Sequence, residues 1–220
     1  MVDIHPQSIT ESCRQGLEFL GRHDFIKNYY LAGGTALALQ IGHRISTDLD
    51  WFSTSQRLFA PERELIFQTL VTSGECELIS EQDGMLYLRL FGADVSFLHQ
   101  HHSLLEPTVL YQSVQLASPI DIGLMKLAAI NSRGTRRDFI DLFCLREIIT
   151  LDQLLNLAPK KFRDRPSFLA ITARALAYFD DAEHQPMPKM LTPVRWEDVR
   201  AYCEASARKL ARRLSGLSDL

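Results

Sequence analysis

Cysteine is scarce in this chain and not clustered. Cys13, Cys76, Cys144 and Cys203 lie far apart with no C-x-x-C pair, so neither a zinc knuckle nor a disulfide framework is suggested. No run approaches the roughly 20 apolar residues of a membrane span. Residues 1–20 carry Asp3, Glu11, Arg14 and Glu18, which leaves no apolar signal segment. No internal repeat is visible. Neither sign of charge dominates, since 24 Lys and Arg face 27 Asp and Glu for a formal net charge of −3. A nucleic-acid partner would therefore have to be gripped by a local basic patch rather than drawn in by a global field. These absences point to a reduced, cytoplasmic protein with no membrane partner. What remains is 220 residues, 46% of them hydrophobic, enough to bury a real core as one large domain or two small ones.

The apolar periodicity divides the chain. Residues 8–22 space Ile9, Cys13, Leu17 and Leu20 for one helical face. A short strand over 28–31 runs into Gly33-Gly34, where Thr35 is the expected N-cap of a helix stopped by Gly42. Residues 47–52 (TDLDWF) alternate polar and apolar like a strand. A Pro-opened helix is expected over 61–73, then strands over 75–80, 85–91 and 93–99, with Asp83-Gly84 turning the first hairpin. A further strand is expected near 114–117. From Ser118 the pattern becomes helical, over 118–131, 135–149, 151–157, 167–181 and 196–214, with "HQPMPKMLTP" (184–193) as the clearest linker. The economical division is an α/β domain over 1–117 followed by an all-α domain over 118–220.

One stretch, "LAGGTALALQIGHRISTDLDWF" (31–52), carries chemistry. Residues two apart on a strand share a face, so Asp48 and Asp50 present their carboxylates side by side. Paired carboxylates repel, and Mg²⁺ relieves the repulsion while accepting oxygen ligands and substrate phosphates. Gly33 and Gly34 let a phosphate approach the backbone, and the helix opening at Thr35 offers free N–H groups and a positive dipole end. Asp94, in "FGADVSFLH", is the candidate third carboxylate of a two-metal centre if an adjacent strand brings it near. Its alternative is an ordinary polar residue on an edge strand.

"GGT", twelve intervening residues, then "DLD" resembles the signature of polymerase-β-type nucleotidyltransferases. The fuller string is similar to the AbiEii group of nucleotidyltransferase toxins, relatives of the MenT toxins. The resemblance extends to "IGLMKLAAINSRGTRRDFIDLF" (122–143) and covers most of residues 29–143. It implies an α/β (α+β) nucleotidyltransferase core of mixed sheet and flanking helices, with an all-α half behind it. It implies Gly33, Gly34 and Thr35 on the triphosphate and Asp48 and Asp50 on two Mg²⁺ ions. It also implies Lys126 as a phosphate-contacting cation, Asp138 as a carboxylate near the reaction centre and Asp141 as its support. The implied activity is transfer of a nucleoside monophosphate from an NTP to an acceptor such as tRNA, as the toxin of a bacterial toxin–antitoxin pair held by a protein antitoxin. A catalytically silent module of the same fold and a small-molecule nucleotidyltransferase are the alternatives.

Other residues leave two readings open. Lys126 and Arg133 are seven apart on one helical face, so both could turn toward one anion, or Lys126 could be a surface residue. Arg44 could touch phosphate, serve at the surface or form a salt bridge to an Asp. His99, His101 and His102 read as a solvated turn. Lys160, Lys161, Arg163 and Arg165 form the best candidate patch for RNA phosphates, with Arg133, Arg136 and Arg137 as additions nearer the metals.

Overall fold

The computed structural model describes residues 3–72 and 75–216. Met1–Ser118 and Pro119–Leu220 form two compact units. The first is built on a seven-stranded mixed sheet: β1 (Tyr30–Ala32), β2 (Asp48–Ser53), β3 (Cys76–Gln82), β4 (Met85–Leu90), β5 (Ala93–His99), β6 (Val109–Tyr111) and β7 (Val114–Leu116). The strand order is β3-β4-β5-β2-β1-β7-β6. The central pair β2 and β5 runs parallel, as do β1 and β7, while β1 and β2 are antiparallel.

Alternation along β2 sets the two faces of the sheet. Leu49, Trp51 and Ser53 are buried, while Asp48, Asp50 and Phe52 are half-buried on the other face. Helix α1 (Glu11–Leu20) covers the buried face, and Thr10 caps it by accepting from the Cys13 N–H. The contact is close because residue 16 is glycine: a Cβ there would lie 2.9 Å from Leu49 Cδ1. On the same face Trp51 stacks on Phe97 with ring centroids 6.4 Å apart. Both rings are fully buried, each worth roughly 1.5–3 kcal/mol over exposure. Helix α2 (Gly33–Ile41) is enclosed by the core, and Thr35 to Gln40 are all buried. It stops at Gly42, whose φ of +63° is the left-handed conformation that suits glycine. Helix α3 (Ala60–Val71) opens with Pro at its first turn, and Glu62 accepts from the Phe59 N–H; the predicted end of this helix at Ser73 lies outside the described residues.

The second unit contains α4 (Pro119–Arg133), α5 (Arg136–Leu145), α6 (Leu151–Lys161), α7 (Phe168–Ala175), α8 (Asp180–Glu183) and α9 (Trp196–Leu214). Thr135 and Asp138 form a capping box at the start of α5, and Thr150 and Gln153 form another at α6. Gly123 lets α4 approach α6, since a Cβ there would lie 2.8 Å from Leu154 Cδ1.

Several expectations shift. The helix expected over 135–149 ends at Leu145, and the one over 167–181 is two helices, α7 and α8. The helix over 151–157 continues to Lys161. The Pro-rich 184–193 stretch joins α8 to α9 with most of its residues exposed, as expected of a linker, and Gln185 Oε1 accepts from the Arg136 N–H at 3.0 Å. Strand β6 was not anticipated because its turn to β7 uses Gln112 at φ +52° instead of a glycine or asparagine.

Candidate active site

Alternation and register bring four polar side chains to one face of the sheet. Asp48 pairs in register with Asp94 and Asp50 with Ser96, across the parallel β2–β5 ladder. Asp50 is the hub. Its Oδ1 accepts from Ser96 Oγ at 2.6 Å, and its Oδ2 lies against the turn that opens α2. Gly33 makes that approach achievable: its φ is +64°, and a Cβ there would lie 2.6 Å from Asp50 Oδ2. Asp48 Oδ1 accepts from Thr47 Oγ1 at 2.7 Å. The Cys13 thiol behind the sheet is pushed up, chiefly by burial and further by the charges of Asp48 and Asp50.

No side chain caps α2, so its first backbone N–H groups face the turn with their dipole end positive. Thr35 is not the N-cap: the helix starts at Gly33 and Ala32 holds that position. Thr35 is buried, and its hydroxyl donates to the Asp48 carbonyl, fastening the helix to β2. Its hydroxyl therefore serves the scaffold, while its N–H belongs to the open helix end. Arg44 is 2% exposed, which rules out the surface role. Its guanidinium packs against Gly34, where any Cβ would collide with Nη2. Nη1 donates to the Ile45 carbonyl at 3.2 Å and contacts Ser46 Oγ at 3.4 Å. A buried cation thus underlies the glycine turn.

Asp94 stands beside Asp48 in register but is turned outward, its side chain 59% exposed. Arg89 of β4 holds its Oδ1 through Nε at 3.1 Å and Nη2 at 2.9 Å. Among the described residues no three His, Cys, Asp or Glu groups are gathered tightly enough to hold a metal. The pair Asp48 and Asp50 is the donor set that fits a hard divalent cation: two carboxylates on one face, one of them set against an open helix end. Ser96, which sequence reasoning missed, was signalled by its place two residues after Asp94 in the same alternation.

In the helical unit Lys126 is neither a surface residue nor an exposed phosphate hook. It is buried on α4, with Nζ 2.8 Å from both Asp138 Oδ1 and Asp141 Oδ2. Asp138 Oδ2 also accepts from Thr135 Oγ1 at 2.6 Å, so it serves the α5 cap and the ion pair together. Arg133, one face of α4 with Lys126 by spacing, is exposed in the last turn, so the two do not share an environment. Lys126→Met should leave two buried carboxylates facing each other and lower unfolding stability by roughly 3–5 kcal/mol. Urea denaturation checks this, and an unchanged midpoint would return Lys126 to a ligand role.

The basic patch is also smaller than its sequence. Lys161 is fully buried and paired with Asp121 at 2.7 Å, leaving Lys160, Arg163 and Arg165 exposed. Arg136 is committed to the Ala182 and Glu183 carbonyls, each at 2.9 Å, and stacks on Trp196.

No family model matches this chain. The uncharacterized protein aq_aa25 of Aquifex aeolicus (strain VF5) is 30% identical over 200 residues, covering 89% of this chain and 94% of that protein. The chain belongs to the aq_aa25 family. Its fold is that of nucleotidyltransferases. A proposed nucleotidyltransferase from H. pylori superposes with a TM-score of 0.50 at 14% identity, covering 99% of this chain and all of that one. MenT4, the nucleotidyltransferase toxin Rv2826c from Mycobacterium tuberculosis H37Rv, superposes with a TM-score of 0.51 at 18% identity, covering 87% and 85%. Among the described residues no helix is long and apolar enough to cross a membrane.

Within this fold Gly33→Ala is the sharpest test of the turn. The new Cβ meets Asp50 Oδ2 in a conformation that L residues rarely adopt, so the carboxylate must move or the turn must open. A loss of NTP binding of about tenfold or more is expected by titration, because an ångström of displacement can cost a site about 100-fold. Parent-like binding would show that the turn does not set the carboxylate.

Proposed function

We propose that this protein transfers a nucleoside monophosphate from an NTP to an acceptor hydroxyl, releasing pyrophosphate. The observation that carries this reading is the approach of Gly33 to Asp50, which sets an uncapped helix N-terminus against one of a pair of same-face carboxylates. Backbone N–H groups of Gly33, Gly34 and Thr35 would hold the triphosphate, where a helix end favours negative charge. Asp48 and Asp50 would hold Mg²⁺, with Asp94 as an outer carboxylate on the acceptor side. When bound, the ion neutralises phosphate charge and polarises the reacting phosphoryl group. Ser96 keeps Asp50 oriented by its hydrogen bond, and Arg44 braces the turn from beneath.

RNA, tRNA included, is the acceptor class we favour, and a toxin role restrained by a protein antitoxin is the biological context that the toxin neighbour supports. Lys126 and Asp138 belong to a buried ion cluster with Asp141, and Arg133 is an exposed cation of α4. The test is incubation of the protein with each labelled NTP, Mg²⁺ and total RNA. Label transferred to an RNA species by the parent and not by Asp50→Asn supports the reading. Label appearing on protein or small molecules instead would move the acceptor class, and no Mg²⁺-dependent transfer to anything would overturn the activity.

A further inference from the structure

The two oxygens of Asp50 face opposite ways, and this gives the site a direction. Oδ2 faces the Gly33 turn on the β1 side, and Oδ1 faces Ser96 on the β5 side. Beyond Ser96 the same face continues onto β4, because Tyr87 pairs with Ser96 and Arg89 with Asp94. Alternation along β4 buries Leu86, Leu88 and Leu90 and leaves Met85 and Tyr87 half-buried and Arg89 exposed on the carboxylate face. The row across the sheet therefore reads helix end, carboxylates, serine, then a tyrosine and an arginine.

In-line displacement fixes what each end of that row does. The acceptor oxygen forms its bond to the α-phosphorus as the bond from that phosphorus to the pyrophosphate oxygen breaks. Pyrophosphate takes the electron pair, and the hydroxyl proton passes to solvent. The attacking and leaving oxygens lie on opposite sides of the phosphorus. With the leaving group on the helix end at β1, the acceptor must enter from β5 and β4.

We infer that Tyr87 and Arg89 form the acceptor subsite, taking the terminal unpaired nucleotide of an RNA: its base on the Tyr87 ring and its phosphate on the Arg89 guanidinium. This rests on the nucleotidyltransferase reading and adds the entry side and the residues that select the acceptor. Two same-face positions on one strand lie about 7 Å apart, which suits a base and its own phosphate. An aromatic face beside a guanidinium is the chemistry of single-strand recognition, since bases within a duplex are closed to it. Arg89 presents its remaining N–H groups while holding Asp94. The next residue in the row is Glu77 of β3, exposed and in register with Arg89. Its charge repels a second phosphate, so the subsite takes one.

The experiment measures binding of a short single-stranded RNA to the full chain across a salt series, alongside NMP transfer to the same RNA. Tyr87→Ala should weaken binding about tenfold, with Tyr87→Phe retaining parent affinity. Arg89→Ala should reduce the log–log salt slope by about 0.7, the value of one lost phosphate contact, while Arg89→Lys keeps it. Glu77→Lys should add about 0.7 to the slope and tighten binding, an outcome that simple misfolding does not produce. Parent-like slopes in Arg89→Ala and Glu77→Lys, with transfer still abolished in Asp50→Asn, would overturn the subsite and leave the activity standing. Transfer surviving in Asp50→Asn would instead overturn the carboxylate site from which the subsite takes its direction. Absence of RNA binding by the parent would overturn the acceptor class.

Discussion

Asp50→Asn should lower NMP transfer by about 10³-fold or more while the melting temperature stays level or rises. Metal-mediated charge stabilisation is worth several kcal/mol, and each 1.4 kcal/mol is a factor of about ten in rate. The amide keeps the shape of the carboxylate, and its oxygen still accepts the Ser96 hydroxyl. What disappears is one negative charge from a same-face pair, and with it some electrostatic repulsion in the metal-free protein. Asp48→Asn should behave alike. The measurements are labelled transfer at saturating NTP and a thermal melt without Mg²⁺. Parent-rate transfer in either variant would remove that residue from the chemistry and end the paired-carboxylate assignment.

The second large effect is on stability and concerns the helical unit. Lys161→Met should cost roughly 3–5 kcal/mol, because it leaves Asp121 fully buried and without this cation. That is a large share of the 5–15 kcal/mol typical of a whole domain. The double variant Asp121→Leu with Lys161→Met should recover most of the loss, since matched apolar side chains replace a buried ion pair at little net cost. Urea midpoints of the two variants decide it. A single variant as stable as the parent would mean that Asp121 is held without Lys161. Lys160→Ala, one residue earlier and exposed, should change stability by under about 0.5 kcal/mol.

That contrast shows where sequence reading stops. Lys160 and Lys161 are chemically identical neighbours, and only the packing of α6 on α4 makes one a surface cation and the other a core residue. Lys126 is the same case: its spacing on α4 placed it on one face with Arg133, but the rest of the helical unit decided that its end of that face is interior. The Asp48–Asp50 strand was legible because period-two alternation is local, and the structure repeats it residue for residue. The pairing of Asp48 with Asp94 was not, since parallel strands far apart in sequence carry no local mark of their register. Thr35 was misplaced for a different reason. Its type favours a cap, but the Asp48 carbonyl on β2 claimed its hydroxyl.

The Thr35 hydroxyl and the Ser46 backbone together turn the segment between the glycines and the carboxylates into a ruler. One end is pinned where Thr35 donates to the Asp48 carbonyl. The middle is stitched to the chain before α1, where the Ser46 N–H donates to the Ser8 carbonyl at 2.8 Å and the Thr10 N–H to the Ser46 carbonyl at 3.2 Å. Between them α2 is buried and cannot lengthen without displacing core. A single residue inserted after Gly42 has nowhere to bulge without cutting these ties. The cheaper response is a slide of β2 by one position, which would turn Asp48 and Asp50 into the core and push Leu49 and Trp51 out to solvent. The twelve-residue interval is thus a length standard enforced by folding itself: a chain that miscounts it loses the fold before it loses the site.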